Sequence, residues 1–375
     1  MTHLLHAAQN LAPLLAQNCD AMEAARRLPA DLAQTLAQHG FFRMVLPKDF
    51  GGHEMTPAQM IGVLEVLGNA NASAAWCVMI GATTAINAAY LPDHHARNIW
   101  SNPNVITGGA FAPTGKAVLE GDHYRVNGRW AWGSGSANCD WLVGGALIDD
   151  GGITRARMMW FERAQVTLLD TWHAVGMRGT GSGDFEVVDA LVPKDRSVSL
   201  TDDKPRIARP LYVFPPFCLL ALAIAGVALG NARGAIDDVV ALAGGKVPTG
   251  ARRPLAERPT TQTEIAKAEA MYGAARALLM TRAHEAFEKA QDTGALDLTE
   301  RAHLRIAAAH AVRTCADITR MMYDLGGGTS VYSHCPLQRR FRDAHVATQH
   351  IMVSHSALEL AGRALLGLEG DYSQL

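Results

Sequence analysis

The stretch VNGRWAWGSGSANCDWLVGGALI, Val126–Ile148, is the most informative part of the chain. The Asn-Gly pair at 127–128 predicts a tight type I′ hairpin turn, because these residues readily adopt the positive φ angles that such a turn requires. In the strand that follows, Trp130, Trp132 and Ser134 should alternate onto one face. Two indoles and a hydroxyl on one face either pack in the core or bind a flat aromatic ligand whose ring edge Ser134 would hydrogen-bond.

The sequence changes character on both sides of this stretch. Residues 2 to about 100 have helical spacing, and Thr56-Pro57 suits the N-cap and first position of a helix. From about Asn102 to Asp195, short β-branched and aromatic runs alternate with turn residues. Helical spacing returns after Pro210. Strands grouped between two runs of helices predict an α+β fold, mostly α, with a discrete β domain in the middle.

The composition limits the classes of function. Apolar residues make up 49% of the 375 residues and charged residues 19%, with a formal net charge of −2 and no basic block. Binding to nucleic acid or to a membrane surface is therefore disfavoured. The longest apolar run, beginning at Pro215, is short for a membrane span and favours a buried helix. The N-terminus shows no secretory pattern, and the six cysteines form no CxxC pair, so we expect neither disulfides nor a metal site, and a cytoplasmic location. The histidines of PDHH, Pro92–His95, are expected to lie on the surface at a helix start.

Four segments, taken in order, resemble the acyl-CoA dehydrogenase family. In the first, Trp132 and Ser134 stand where the family has a Trp and a Thr or Ser that contact the flavin, and Asp140-Trp141 follows. The other three begin at residues 170, 254 and 323: DTWHAVGMRGTGSGDFEVVDALVP, PLAERPTTQTEIAKAEAMYGAARALL and YDLGGGTSVYSHCPLQRRFRDAHVATQH. The resemblance implies an N-terminal helical domain (1–100), a central β-barrel (101–204) and a C-terminal four-helix bundle (205–375). It also implies a homotetramer with flavin between barrel and bundle.

The positions that hold the catalytic base in dehydrogenases lack an acid here. Many of those enzymes carry a Glu nine residues after the Arg of an RDA motif, but counting from Arg342 gives Ile351. Others place the base on the first helix after the β domain, where this chain has no Asp or Glu from Tyr212 to Ala235. Removing a proton next to a thioester needs a carboxylate within hydrogen-bond reach. A dehydrogenase would therefore need a base from elsewhere.

The same segments are more similar to another branch of this fold, the flavin-dependent two-component monooxygenases that hydroxylate aromatic compounds. In that branch a catalytic imidazole lies on the final helix, and it corresponds to His350 in FRDAHVATQHIMVSH, Phe341–His355. A continuous helix would put Ser354 one turn from His350 on the same face and His345 about 140° away. The resemblance implies that reduced FMN or FAD reacts with O₂ to a C4a-hydroperoxide. A hydrogen bond from Ser134 near flavin N5 should slow loss of the peroxide, and a histidine with a pKa near neutral should protonate the peroxide or activate the substrate.

The resemblance also implies which other residues meet the cofactor and the substrate. The expected flavin contacts are Trp132, Ser134, Trp172, Arg178, Thr180, Arg258, Gln262, Gly327 and Gly328. Individual members of this set have an alternative role that is only structural: packing in the barrel, forming a turn, making a surface salt bridge or ending a helix. Thr83, Thr84 and Ser354 are expected in the substrate pocket. Several phenol-hydroxylating relatives have a histidine where Thr84 stands, which argues against a phenolic substrate and leaves room for a neutral aromatic heterocycle such as an indole, or for an amine or thioether.

The sequence thus predicts the oxygenase component of a two-component flavin-dependent monooxygenase, acting on a small aromatic or heteroaromatic substrate and O₂. No G-x-G-x-x-G fingerprint of a dinucleotide site follows a strand, so a separate NAD(P)H:flavin reductase should supply the reduced flavin. Two alternatives stay open at this point. One is an acyl-CoA dehydrogenase-like flavoprotein with a relocated base, and the other is a flavin-free assembly protein.

Overall fold

The computed structural model describes residues 3–375, so residues 1 and 2 of the predicted first domain lie outside it. Helices come first, strands follow in the middle, and long helices complete the chain, which confirms the predicted fold class. The element type changes close to residues 100 and 204, and the three domain limits remain a proposal. The first helices are α1 (His3–Gln17), α2 (Cys19–Ala25), α3 (Ala30–Gln38), α4 (Pro57–Ala70), α5 (Ala72–Thr84) and α6 (Asp93–Trp100).

The middle domain is one seven-stranded mixed sheet with the order β5-β6-β2-β1-β3-β4-β7. β1 pairs antiparallel with β2 and parallel with β3, while β5 and β7 pair only with β6 and β4 in the described residues. The strands are β1 (Thr107–Glu120), β2 (His123–Trp130), β3 (Trp141–Asp150), β4 (Ile153–Glu162), β5 (Thr167–Leu169), β6 (Asp184–Pro193) and β7 (Ser197–Val198).

The predicted hairpin turn at Asn127-Gly128 is wrong. Both residues lie inside β2, where the pairing with β6 shifts register between Val126 and Gly128. The β1–β2 turn lies instead around Gly121, whose φ is +62°. A Cβ at Gly128 would collide with the Trp130 indole, so the glycine leaves room for this ring opposite the extra, bulged residue of β6.

The C-terminal domain is built around one long buried helix. Its helices are α7 (Pro210–Val213), α8 (Pro216–Gly245), α9 (Pro259–Thr293), α10 (Leu298–Gly326), α11 (Pro336–Ala347) and α12 (His355–Leu365). The segments Ala72–Ala89 and Pro216–Gly245 are long and apolar enough to cross a membrane, but 94% of the most apolar 18-residue stretch in each lies buried inside the protein, as expected of core helices. A Cβ at Gly68 or Gly230 would collide with the backbone of the facing helix, so these glycines let α4 and α8 pack closely.

The predicted continuous final helix is wrong as well. α11 ends at Ala347 and α12 begins at His355, and a turn formed by residues 348–354 separates them. Backbone hydrogen bonds between residues three positions apart, such as His350 N–H to Ala347 C=O at 3.2 Å, close this turn. Thr348 Oγ1 also donates to the His345 carbonyl at 2.7 Å. A side chain that competes for backbone carbonyls, followed by β-branched residues, favours ending a helix here.

Candidate active site

Trp132 follows β2 at the edge of the sheet, where it is exposed and has an uncommon backbone conformation. β2 ends at Trp130, and Trp132 follows with a φ of +62° and 71% of its surface exposed. Trp130 is fully buried, with ring centroids 5.1 Å from Phe185 and 5.6 Å from Phe161. The two indoles therefore do not share a face, because the left-handed residue rotates the chain after the strand. Strained, exposed aromatics are characteristic of ligand sites.

A chain of hydrogen bonds runs from α5 to the loop after β5. Trp76 Nε1 lies 3.1 Å from Ser134 Oγ, which lies 2.7 Å from Ser182 Oγ. Ser182 Oγ is 2.5 Å from Thr180 Oγ1, which donates to the Met177 carbonyl at 2.8 Å. An indole N–H only donates and a carbonyl only accepts, so the two ends fix the direction of every bond between them. Each hydroxyl donates toward Met177.

This direction determines what Ser134 can offer to a ligand. Its proton is committed to Ser182, and one lone pair of its oxygen accepts from Trp76. The Ser134 backbone N–H already donates to the Trp132 carbonyl at 2.8 Å. The second lone pair of Ser134 Oγ remains free, so Ser134 can accept a hydrogen bond from a ligand but has no proton to donate. Its role in flavin contact stays a prediction, now with this constraint.

His350 lies in the turn between α11 and α12, beside Trp76. The two ring centroids are 5.7 Å apart at an interplanar angle of 64°. Its Nδ1 accepts a hydrogen bond from the Met352 backbone N–H at 3.2 Å, so the neutral ring carries its proton on Nε2. Burial of the ring, and to a smaller extent the positive charge of Arg305, lower the pKa of His350 to about 4, so the near-neutral pKa expected from the sequence is wrong. The imidazole is therefore neutral near pH 7.

The neighbouring Asp343 links α11 to the loop that follows β5. This buried carboxylate accepts the Met177 backbone N–H at 2.5 Å, and burial raises its pKa to about 6. Met177 has a φ of +50°, which is uncommon for a residue other than glycine. The hydrogen bond to the Asp343 carboxylate holds the backbone in this left-handed conformation. Arg342 donates to the Val175 carbonyl and to Glu23 Oε2, the latter at 2.7 Å. We name residues 175–183 the glycine loop.

Three further predicted residues belong to the glycine loop or touch it. Trp172 is half-buried, and its Nε1 donates to the Met177 carbonyl at 3.0 Å, so it supports the loop. Arg178 is half-buried, and its Nε is buried without a hydrogen-bond partner. Thr180 is buried and belongs to the hydroxyl chain. The structure therefore joins Thr180 to Ser134 through Ser182, while the contacts of all three residues with flavin stay predictions.

The residues predicted for the substrate pocket lie in two different settings. Thr83 and Thr84 are buried on α5, and their hydroxyls donate to carbonyls of the same helix at 2.8 and 2.7 Å. Ser354 is the N-cap position of α12, and its hydroxyl lies 2.7 Å from Ser356 Oγ. The helical argument that put Ser354 on the same face as His350 is wrong, because the helix is broken between them. Pocket roles for all three remain predictions.

The remaining residues expected to contact the flavin lie on the surface. Arg258 is the N-cap position of α9, is exposed and forms no ion pair in the described part of the chain. Gln262 is exposed and donates to the Ala256 carbonyl at 3.1 Å. Gly327 and Gly328 are exposed at the end of α10, and Gly327 has a φ of +52°. The turn at these glycines is tied down by Lys246, which donates to Thr329 Oγ1 at 2.7 Å.

Four residues of this site were not singled out from the sequence as functional. Trp76 and Arg342 served only as positions from which to count, yet Trp76 joins the hydroxyl chain to His350. Ser182 and Asp343 were passed over. A signal existed for Asp343, which is the acidic residue in the otherwise acid-free segment 341–355, but its partner Met177 lies 166 positions away.

The structure also brings together a group of possible metal ligands far from the sequence motifs. His94 and His95 on α6 meet Asp195 from the β6–β7 connection, with ligand atoms within 4.8 Å of one another. His95 Nε2 lies 2.8 Å from Asp195 Oδ1. The expectation that both histidines lie on the surface is wrong for His95, which is buried and meets Asp195 from a hundred residues away. Nothing in this mostly exposed group shows an ion preference.

The arrangement around the glycine loop fits a flavin. Trp132 offers an exposed indole face for stacking on a flat ring, and Arg178 Nε is a buried donor without an acceptor. Ser134 retains an acceptor lone pair beside them. A flavin brings a flat tricyclic ring whose edge has both hydrogen-bond donors and acceptors. The three groups complement such a ring in shape and in hydrogen bonding.

Comparison with known proteins agrees with this geometry. The profile "Acyl-CoA dehydrogenase, N-terminal domain" matches residues 6–93, and "Acyl-CoA dehydrogenase, C-terminal domain" matches residues 222–355. An indole-3-acetate monooxygenase of Pseudomonas putida is 32% identical over 91% of this chain and 88% of its own. The oxygenase component of a FADH₂-dependent resorcinol hydroxylase of a Rhizobium species is 29% identical, over 96% of this chain and 94% of its own.

A solved structure extends the comparison to three dimensions. XiaF from a Streptomyces species, in complex with FADH₂ and glycerol, superposes with a TM-score of 0.90 and 26% identity over 98% of this chain and 95% of its own. Fold and site thus define a flavin enzyme, and the chain belongs to the acyl-CoA dehydrogenase superfamily. Within that superfamily it is a flavin-dependent monooxygenase, an oxygenase component that uses reduced flavin.

Proposed function

We propose that this monooxygenase hydroxylates a small heteroaromatic substrate of the indole class, bound between the glycine loop and the turn that carries His350. The observation that carries the proposal is the neutral imidazole of His350 beside Trp76, near the position where a dehydrogenase requires a carboxylate. The relative that is 32% identical is named for its action on indole-3-acetate, which supports an indole. Buried Thr83 and Thr84, with hydroxyls bonded to their own helix, present little unpaired polarity to a neutral ring.

Residues of the sheet would hold the cofactor. When bound, the reduced flavin supplies the two electrons that split O₂, so that one oxygen atom enters the substrate and the other leaves as water. Trp132 would stack on the ring, and Arg178 would donate from Nε to an acceptor on the ring edge. Ser134 would accept a hydrogen bond from a ring N–H, because its own proton is committed to Ser182. Trp172 and Asp343 would keep the glycine loop in place for these contacts.

His350 would act through its Nε2 proton. With a pKa of about 4, only about one ring in a thousand is protonated at pH 7, so the imidazole is not a proton reservoir. The same low pKa makes it a weak base. A neutral ring with Nδ1 bonded to the Met352 N–H presents Nε2–H as a fixed donor. We propose that this donor orients the substrate and stabilises negative charge that develops on oxygen during transfer.

The dehydrogenase alternative finds no base at the expected place. Ile351 is apolar and exposed. The Asp343 carboxylate is buried and accepts the Met177 N–H, so it supports the glycine loop. Proton abstraction from an acyl thioester needs a carboxylate that can reach the substrate. Neither side chain meets this requirement, which favours oxygenation over dehydrogenation.

Assembly and cofactor form are part of the same proposal. We propose a homotetramer in which exposed Arg258 and Gln262, with the glycines at 327–328, approach a neighbouring subunit's flavin. A surface groove of about 470 Å³ between α9 and α10 supports self-association, because an apolar floor is rimmed by balanced charges. The groove is lined by Glu264, Lys267, Met271, Arg320, Met321, Asp324 and Leu325. FADH₂ in the names of two relatives favours FAD over FMN.

Partner and location complete the proposal. A separate NAD(P)H:flavin reductase would supply the reduced cofactor, since the named relatives include oxygenase components. Six free, buried cysteines suit the reducing conditions of the cytoplasm.

The experiment supplies reduced FAD or FMN without any reductase, admits ¹⁸O₂, and analyses products of indole-3-acetate and indole by mass spectrometry. The expected result is one ¹⁸O atom in a hydroxylated product and none from H₂¹⁸O. A panel of acyl-CoA thioesters with oxidised flavin serves as the control for the alternative. Bleaching of the flavin by a thioester, or no labelled product from any indole, would overturn the proposed function.

A further inference from the structure

Three buried hydroxyls connect the glycine loop to Ser134. Ser134, Ser182 and Thr180 are 5%, 4% and 1% exposed, so protein groups determine how their hydroxyls are bonded. The Thr180 hydroxyl lies 2.8 Å from the Met177 carbonyl, which can only accept. Ser182 Oγ, 2.5 Å from Thr180 Oγ1, must therefore donate to it, and Ser134 Oγ, 2.7 Å from Ser182 Oγ, must donate to Ser182. The carbonyl end of the chain thus sets the direction of the Ser134 proton.

The Trp76 indole at the other end does not set this direction by itself. Its N–H can donate to Ser134 Oγ at 3.1 Å for either orientation of the Ser134 proton, because the oxygen has two lone pairs. In the opposite direction, Thr180 Oγ1 and the Met177 carbonyl oxygen would face each other at 2.8 Å with no hydrogen between them. Two buried acceptors in contact are unfavourable. Thr180, through Ser182, therefore keeps Ser134 an acceptor.

We propose that Thr180 and Ser182 are positioning residues through which the site selects reduced over oxidised flavin, an assignment that rests on the proposed function for the placement of the ring beside Ser134. The two forms of the cofactor differ at N5, which carries a hydrogen in the reduced ring and a lone pair in the oxidised ring. The free lone pair of Ser134 Oγ complements an N–H and opposes a lone pair. A hydroxyl whose proton could rotate toward the ligand would accommodate both forms.

Two substitutions at position 180 separate the hydroxyl from the shape of the side chain. Thr180→Val keeps the branched shape but removes the acceptor of the Ser182 proton. Ser182 can then donate to Ser134, which frees the Ser134 proton for a ligand. The glycine loop stays anchored, because the Met177 carbonyl still accepts the Trp172 indole N–H at 3.0 Å and the backbone N–H of residue 180 at 3.1 Å. Thr180→Ser keeps the hydroxyl and is the matched control.

The experiment measures dissociation constants of the intact protein for oxidised FAD and, under nitrogen, for reduced FAD, without any substrate. Thr180→Val should bind oxidised FAD about 10-fold more tightly than wild type does, since a buried pair of opposed acceptors is relieved, and its affinity for reduced FAD should change less than about 3-fold. Thr180→Ser should keep the wild-type ratio of the two constants within about 3-fold. Trp76→Phe should also keep this ratio, because it removes a donor to Ser134 and leaves the direction of the chain unchanged.

Oxidised 5-deaza-FAD, in which a C–H group replaces N5, tests which ring atom is involved. Wild type should bind this analogue about 10-fold more tightly than oxidised FAD, because the opposed lone pair is gone. Thr180→Val should lose this difference. Equal affinities of the wild type for the analogue and for oxidised FAD would show that Ser134 does not meet N5.

Three results would overturn the assignment: the same change in both constants for Thr180→Val, an unchanged ratio, or a loss of selectivity in Thr180→Ser as large as that in Thr180→Val. If Thr180→Val fails to fold, Ser182→Ala replaces it, because that variant also frees the Ser134 proton. A protein that shows the selectivity but oxygenates no indole would support the assignment and refute the proposed substrate. Normal oxygenation of an indole with a ratio that neither variant alters would refute the assignment and leave the proposed function standing.

Discussion

Asp343→Asn should remove a specific pH dependence of stability. The carboxylate is buried and accepts the Met177 N–H at 2.5 Å, and an asparagine oxygen can accept the same bond. The substitution therefore keeps the shape of the contact between α11 and the glycine loop while abolishing ionisation. What it changes is the free energy of unfolding as a function of pH.

The magnitude follows from the pKa. Burial raises the pKa of Asp343 from 3.8 to about 6, a difference that corresponds to about 3 kcal/mol. The folded protein holds this proton more tightly than the unfolded chain. Stability contributed by the group is therefore present below about pH 4 and is lost as pH rises through about 6. Roughly half of the effect, about 1.5 kcal/mol, falls between pH 5 and pH 7.5.

The assay compares urea-induced unfolding of wild type and Asp343→Asn between pH 5 and pH 7.5. Tryptophan fluorescence and circular dichroism are recorded together, because coincident transitions justify two-state analysis of so large a chain. Other ionisable groups contribute equally to both proteins and cancel in the difference. The wild type should lose about 1.5 kcal/mol relative to the variant as pH rises across this range. A difference that stays constant, or that changes in the opposite direction, would show that Asp343 is not held protonated by burial.

Other parts of the site make further predictions. Trp132→Ala should weaken flavin binding about 10-fold or more through lost stacking, measured by fluorescence titration; unchanged affinity would place the ring elsewhere. Trp76→Phe keeps a ring beside His350 but removes the donor to Ser134, so unfolding free energy should fall by about 1 kcal/mol, and no change would argue against the hydroxyl chain. Gly176→Ala would push a Cβ into the Arg342 carbonyl and should cost about 2 kcal/mol or more in thermal or urea unfolding. Gly362→Ala on α12, where a Cβ meets open space, should instead stabilise by up to about 1 kcal/mol; similar effects at both glycines would contradict the steric argument.

The sequence predicted those features that depend on local patterns. The Thr56-Pro57 cap is observed as predicted, with Gln59 completing a capping box. The change from helices to strands and back also follows hydrophobic spacing, which short segments can reveal. The predictions that failed were also local ones. Asn127-Gly128 lies within β2 opposite a bulge in β6 and forms no turn, since a partner strand on each side fixes the register there.

The arrangement of the site depends on contacts between distant residues. Trp76 meets Ser134 across 58 positions, and Met177 meets Asp343 across 166 positions. No periodicity in a single sequence encodes such pairs, so Ser182 and Asp343 were not recognised. The resemblance correctly indicated reduced flavin, but it left His350 on a continuous helix. Because residues 348–354 form a turn, no helix face sets the orientation of the His350 ring. The ring is oriented by its contact with Trp76 and by the hydrogen bond from the Met352 N–H.

Single-turnover hydroxylation by His350→Gln, with His345→Gln as the matched control, tests the role of the imidazole most directly. His345 is exposed and bonded to the Phe341 carbonyl at 2.8 Å, so its replacement should leave turnover within about 3-fold of wild type. His350→Gln should bind reduced flavin as tightly as wild type but lose labelled product at least about 100-fold, the range attributed to a charge-stabilising donor. Undiminished product formation by His350→Gln would contradict the assignment of a neutral imidazole to the oxygenation site.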